Sequence, residues 1–197
     1  MKLYGTTTSP FVRRVRIVAA ELGLGVELVN TAGEHGQALL RDISPIRKVP
    51  LAILDGHTLF DSHVIIDYLT MTRGYGHLEP ARDRWREQNL VNAIDSALDS
   101  IIQLFYLRRD GVQVDGTVFA TRQLERTDAV MTYLVEQLAP DRRSFGHGFG
   151  LAELALICTL DWMEFRSVYA PPLAGELAAL RANWHDRPSV VATRPHA

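Results

Sequence analysis

Apolar positions in the first 70 residues follow two alternating patterns. Lys2–Tyr4 and Val26–Val29 are short apolar runs that read as strands. Between them, Pro10 to Leu22 carries Val12, Val15, Val18, Ala19 and Leu22 at helical spacing, and Gly23 and Gly25 close the helix. Strand, helix and strand in this order predict a parallel pair joined by a crossover. Leu51–Leu54, the turn Asp55-Gly56 and Thr58–Phe60 then read as a hairpin. A helix from Ser62 to about Thr70 follows, with Val64, Ile65, Tyr68 and Leu69 as its apolar face. The order β-α-β, then β-β-α, predicts a small mixed sheet with helices packed on it, in a first domain of residues 1–76.

Beyond Gly74-Tyr75-Gly76 and Pro80 the strand pattern disappears. Arg82 to Arg109 is a long amphipathic stretch with Leu90, Ile94, Leu98, Ile101, Ile102 and Phe105, broken by Gly111 to Gly116. A second helix runs to Leu138, with Val130, Leu134 and Leu138 four apart. The loop Gly146-His147-Gly148-Phe149-Gly150 leads into an apolar helix from Leu151 to about Phe165, and shorter helices fall at Leu173–Trp184 and Pro188–Thr193. Residues 82–197 therefore read as an all-helical domain, and the fold class is α/β followed by all-α.

Composition narrows the function classes. The chain has 197 residues, 47% hydrophobic and 22% charged, which suits a globular protein with a substantial core. The 21 basic and 23 acidic residues split evenly: Met1 to Leu78 holds 8 and 7, and the remainder 13 and 16. With no basic stripe, nucleic acid is not an expected partner. No uninterrupted apolar stretch reaches the length of a membrane span and no secretory leader is visible, so a cytoplasmic protein without a membrane partner is expected. A single cysteine, Cys158, excludes an internal disulfide and any cysteine-built metal site. Histidine spacing offers no ligand pair, so no metal is expected. Lys2 and Lys48 are the only lysines beside 19 arginines, which singles out Lys48.

Three short motifs carry chemistry. Thr7-Thr8-Ser9-Pro10 joins a strand to the helix it feeds, and Ser9 with Pro10 makes a good helix start. The same geometry places a hydroxyl at the positive end of a helix, where it can stabilise an anion such as a thiolate. A free thiol has a pKa of about 8.5, so about 3% is ionised at pH 7; lowering it by two units takes about 2.7 kcal/mol. Serine would act there as a hydrogen-bond donor, since nothing nearby serves as its base. Lys48-Val49-Pro50 opens the third strand, and Pro50 reads either as an ordinary first strand residue or as a cis proline that turns the Val49 backbone toward an extended ligand. Asp61-Ser62 opens the next helix, either as a cap or as a pair able to hold the ammonium and carboxylate of an amino acid.

Taken in order, Ser9-Pro10-Phe11-x-x-Arg14-Val15-Arg16, Ser44-Pro45-x-x-Lys48-Val49-Pro50, Asp55-Gly56 and Asp61-Ser62 resemble the thioredoxin-like domain of soluble glutathione transferases. Gly150-x-x-Glu153 and Trp184-x-x-Arg187-Pro188 extend the resemblance over nearly the whole chain, and the Ser-Pro-Phe opening is most similar to serine-type bacterial and tau-like members. The resemblance implies a thioredoxin-like α/β N-terminal domain, an all-α C-terminal domain and a homodimer. It also implies an enzyme that binds glutathione as co-substrate and conjugates it to small, largely apolar electrophiles. Ser9 would donate to the glutathione thiolate, with Thr7 and Thr8 as competing hydroxyls. Val49 with cis Pro50 would pair with the cysteinyl unit, Lys48 would sit near the glycyl carboxylate, and Asp61 with Ser62 would hold the γ-glutamyl end; Phe11 is placed with this group. The electrophile is expected in an apolar cleft between the domains, walled by Phe11, Ile102, Phe105, Tyr106 and Trp162, all of which can equally be core residues.

Other readings stay open. The same fold can be a protein-interaction scaffold of the stringent-starvation type, or host glutathione-dependent isomerase, dehalogenase or peroxidase chemistry. Gly150 and Glu153 depart from the family's usual Ser/Thr and Asp at that capping box, which weakens the helix start without touching catalysis. Arg13, Arg14 and Arg16 read as a solvated face, or else as a salt-bridging or anion-favouring cluster. Cys158 reads as a core residue.

Overall fold

The computed structural model describes residues 1–146, 148–170 and 174–196. They form two compact units: Met1–Leu78 together with the described residues from Asp186 onward, and Glu79–His185.

In the first unit a four-stranded sheet is built from β1 (Lys2–Gly5), β2 (Glu27–Asn30), β3 (Leu51–Leu54) and β4 (His57–Phe60), in the order β2-β1-β3-β4. β1 and β2 are parallel, connected by helix α1 (Pro10–Glu21), while β1–β3 and β3–β4 are antiparallel. The predicted crossover and hairpin are both present. Asp55 (φ 50°) and Gly56 (φ 79°) make the tight turn, whose two positive φ values match the right-handed twist of the strands. α1 and α3 (Ser62–Arg73) pack together, and α1 lies against β1. Gly5 permits that approach, because a Cβ there would meet a Val12 methyl at 2.3 Å.

One element was not expected from the pattern: α2 (Gly33–Ile43). Its N-cap, Ala32, has no side-chain bond, and Gly33 and Gly36 fall in its first turns, so the usual helix-start signals are missing. Tertiary packing compensates. Leu40 joins Tyr4 and Leu51 in an apolar cluster with Leu39, Ile43, Val49 and Phe60 around it. Gly36 runs so close to Thr31 that a Cβ would meet its backbone at 2.4 Å.

The expected solvated arginine face is also corrected. Arg13 and Arg14 are 1% and 2% exposed. Arg13 donates to Thr193 Oγ1 at 3.4 Å and Val190 O at 3.2 Å, and Arg14 lies 5.1 Å over the Phe11 ring. Partners about 180 residues away in sequence turn a charged face into an internal one.

The same closing segment explains why the described residues from Asp186 onward join the first unit rather than the helical one. Helix α8 (Pro188–Val191) packs on α1, and Arg187 grips Glu21 through both carboxylate oxygens at 2.6 and 2.7 Å. Ser189 Oγ donates to the same carboxylate, and Arg187 also reaches His77 O at 2.7 Å. The Arg187 of the motif near the C-terminus is therefore a clasp.

The second unit holds α4 (Arg84–Arg109), α5 (Val118–Glu136), α6 (Leu151–Arg166) and α7 (Ala174–Trp184). The expected start of α7 at Leu173, and His147 of the glycine-rich loop, lie outside the described residues. α4 is long and apolar enough to cross a bilayer by length and composition. It carries Asp95 and Asp99, and buries Leu90, Ile94, Leu98, Ile101 and Leu104 in a unit where it packs on both α5 and α6. α6 contains Cys158, fully buried as expected. At its start Gly150 has no side chain to cap with, but Glu153 Oε2 accepts from the Gly150 N–H at 3.0 Å and Oε1 from Phe145 N–H at 2.7 Å. Glu87 of α4 supplies a further acceptor, taking the Leu151 N–H at 3.1 Å. Burial pushes both carboxyls above their ordinary range, and hydrogen bonds from backbone N–H groups hold them back only in part.

Burial alone would push the Glu21 carboxyl up as well, but hydrogen bonds from Arg187 and Ser189 and the Arg187 charge outweigh it and hold the group below its ordinary range. Its stabilising contribution is thus present above the ordinary carboxyl range and is lost as pH falls through the lowered pKa. Arg187→Ala is expected to lower the unfolding free energy by about 3 kcal/mol, measured in urea at pH 7. The stability difference between wild type and Glu21→Gln should stay constant near neutrality and shrink in acid; a difference that grows in acid contradicts the assignment.

Candidate functional site

Strand register gathers the three motifs. Tyr4 pairs with Leu51 across β1 and β3, and Leu51 with Phe60 across β3 and β4. The loop after β1, the segment before β3 and the loop after β4 therefore leave the sheet at the same end. These carry Ser9, Lys48-Val49-Pro50 and Asp61-Ser62. The last two are tied directly, since the Asp61 N–H donates to Pro50 O at 3.3 Å.

Three hydroxyls compete at the start of α1, and they have different partners. Thr7 Oγ1 donates to His196 O at 2.8 Å, and Thr8 Oγ1 lies 3.2 Å from Thr6 Oγ1. Ser9 Oγ accepts the Val12 N–H at 3.3 Å as the helix N-cap. That bond uses an oxygen lone pair, so the Ser9 hydroxyl proton is still available to donate. The capping and anion-stabilising readings of Ser9 are therefore compatible. Ser9 is half-buried, and Pro10 at N1 fixes the backbone entry.

The Val49–Pro50 peptide bond is cis. Val49 packs its side chain on the Tyr4–Leu40–Leu51 cluster. Among the described residues, no hydrogen bond uses the Val49 N–H or C=O. A half-buried backbone pair of this kind ordinarily has partners. Lys48 beside it is exposed. Asp61, exposed, has φ 77°, an uncommon conformation for a non-glycine residue; its carboxylate caps α3 by accepting the His63 N–H at 2.8 Å. Ser62 is 2% exposed, so its side chain is more withdrawn than a ligand role alone would suggest.

The expected electrophile walls divide. Phe11 is half-buried beneath the Arg14 guanidinium. In the helical unit Ile102 and Phe105 are half-buried and Tyr106 exposed, whereas Trp162 is 5% exposed and meets Phe105 edge-on at 5.6 Å. Trp162 supports Phe105 from the core rather than offering a face of its own. Sequence reasoning passed over Arg166, which lies over both Phe105 and Phe165 at 5.3 and 5.0 Å; its position at the last turn of α6 was the available signal. Among the described residues, no three histidine, cysteine, aspartate or glutamate side chains converge as a metal site.

Residues 3–75 match the model of the glutathione S-transferase N-terminal domain. The chain is 28% identical to the uncharacterized GST-like protein YibF of Escherichia coli (strain K12), over 99% of this chain and 98% of that one. It is 33% identical to glutathione S-transferase U6 of Arabidopsis thaliana over 41% of this chain and 36% of the relative. The crystal structure of a glutathione S-transferase from Methylobacillus flagellatus KT with GSH bound superposes with a TM-score of 0.85 at 28% identity, covering 99% of each chain.

As the N-cap of α1, Ser9 also contributes to stability. Ser9→Ala is expected to cost about 1 kcal/mol in urea denaturation; no loss would mean that the Val12 bond is not formed in solution. The thioredoxin-like sheet domain and the helical domain that follows it give this chain the glutathione S-transferase fold, and its residues 3–75 match the model of that family's N-terminal domain.

Proposed function

We propose that this protein is a glutathione transferase of the serine type that binds glutathione at the end of the sheet where the three loops emerge and conjugates it to small apolar electrophiles. The observation that carries the reading is the pairing of two unmet backbone groups on Val49 with a donor-capable Ser9 hydroxyl at the mouth of α1. An extended peptide satisfies the Val49 N–H and C=O as a neighbouring strand does. Its sulfur then lies at a helix N-terminus, where hydroxyl and backbone N–H groups favour the thiolate. The thiol proton leaves to solvent, and the sulfur lone pair forms a C–S bond with the electrophile. The electrophile either expels its leaving group as an anion or, where the sulfur adds across a double bond, takes the displaced electron pair on carbon and a proton from solvent.

The charges of the ligand fit the remaining residues. Lys48 answers the glycyl carboxylate, and Asp61 the ammonium of the γ-glutamyl end, while Ser62 contributes as the first residue of α3 through its backbone N–H. In the helical unit Ile102, Phe105 and Tyr106 provide apolar surface for the electrophile, with Trp162 behind Phe105. The enzyme is proposed to work in the cytoplasm as a homodimer, in keeping with the family resemblance. The glutathione-bound state of the M. flagellatus relative supports the ligand assignment.

Calorimetric titration with glutathione, followed by thiol-conjugation assays, tests this reading. Binding in the millimolar range or tighter is expected, with Lys48→Ala weakening it about fivefold, the worth of one partly exposed charge contact. Ser9→Ala should lower kcat about tenfold or more while Thr7→Val retains most of it, because the Thr7 hydroxyl is occupied with His196. Absence of glutathione binding supports the interaction-scaffold reading instead. A full rate in Ser9→Ala moves the role to Thr7 or Thr8.

A further inference from the structure

The ring surface proposed for the electrophile in the helical unit also carries guanidinium groups, which an apolar electrophile leaves unused. Phe105 meets Trp162 edge-on and lies 5.4 Å from the Tyr106 ring. Two arginines stack on these aromatics, and they differ. Arg109 lies 4.6 Å over Tyr106, and its charge is answered by Asp110 at 2.9 Å. Arg166 is held between the faces of Phe105 and Phe165, and its Nε is shielded from solvent without a hydrogen-bond partner among the described residues. Among the described residues no carboxylate lies within ion-pair distance of it. The acidic side chains of its own helix do not answer it: Glu164 and Asp161 both engage Arg181.

Among the described residues this half-buried guanidinium meets ring faces, and its shielded Nε has an unmet demand. A buried donor left without a partner costs about 1–3 kcal/mol, and ring faces offset that only in part. When Arg166 turns toward an anion it gives up no hydrogen bond to the protein, and its planar fork matches a carboxylate with two parallel bonds. The surrounding surface is aromatic, with Tyr106 and Phe165 partly exposed. Flat rings therefore stack where the charge is met.

We propose that Arg166, with Phe105, Tyr106 and Phe165, forms a binding site for a small aromatic carboxylate. The charge specifies an anion, and the ring faces specify a flat apolar body attached to it. A purely apolar molecule would leave the guanidinium unanswered, and a small inorganic anion would leave the rings unused. That this acid is the electrophile conjugated to glutathione rests on the transferase reading; the binding itself does not.

The test uses the full-length protein and a matched pair of probes, cinnamate and cinnamamide, which share a ring and differ in charge. Affinities are measured by calorimetry or ligand-observed NMR on wild type, Arg166→Gln and Arg166→Lys, each checked by its thermal melt. Wild type should bind the acid about tenfold more tightly than the amide, as expected for one charge-assisted contact. Arg166→Gln should remove that preference without changing amide binding, and Arg166→Lys should keep part of it. Equal affinity for acid and amide in wild type, or an unchanged preference in Arg166→Gln, overturns the proposal. Glutathione titration of the same samples separates the two readings. Acid selectivity without glutathione binding defeats only the transferase assignment, and glutathione binding without acid selectivity defeats only this site.

Discussion

Tyr4 pairs with Leu51 and Leu51 with Phe60, and this row of backbone pairs across three strands decides where the chemistry sits. Each residue lies at or next to the strand end from which a loop carrying a polar group departs. A register slip of one residue would turn Tyr4 and Leu51 off the apolar cluster they share with Leu40 and send their side chains to the opposite face. Packing therefore specifies the register, and the register specifies which loops meet. The bond from Asp61 N–H to Pro50 O closes the arrangement at its edge.

Upon that frame the first helix serves two ends at once. Ser9 satisfies one of the orphan N–H groups of α1 with its oxygen and keeps its proton for another acceptor. Two positions earlier in the same loop, Thr7 donates its proton to His196 O, while Thr8 shares a contact with Thr6 in which either hydroxyl can donate. The distinction among three neighbouring hydroxyls is one of hydrogen-bond bookkeeping, and it depends on the far end of the chain folding back.

Much of this was legible from local signals. Ser9-Pro10 and Asp61-Ser62 announce helix starts, Asp55-Gly56 announces its turn, the apolar spacing of α1 and α4 gives their faces directly, and the apolar run of α6 marks a buried helix. What local pattern misses is settled by distant partners. α2 has a glycine-bearing first turn and an uncapped start, and it exists because Leu40 finds Tyr4 and Leu51. Arg13 and Arg14 look like a wet face until Val190 and Thr193 come into reach of Arg13. Arg187 reads as part of a motif near the chain's end, yet its function is to hold Glu21 and attach that end to the first unit. Arg166 stands in the sequence as one arginine among 19, and only the ring faces around it mark it out.

The central claim is that a hydroxyl and a helix mouth make a bound sulfur acidic. Ultraviolet difference spectroscopy of the thiolate, recorded across pH with glutathione held on the protein, reads that acidity without any second substrate. The account predicts a thiol pKa about two units below that of an unperturbed thiol, a difference of about 2.7 kcal/mol in favour of the anion, with most of the shift abolished in Ser9→Ala. Bound glutathione that titrates like the free thiol, or a lowered pKa that survives intact in Ser9→Ala, would contradict it.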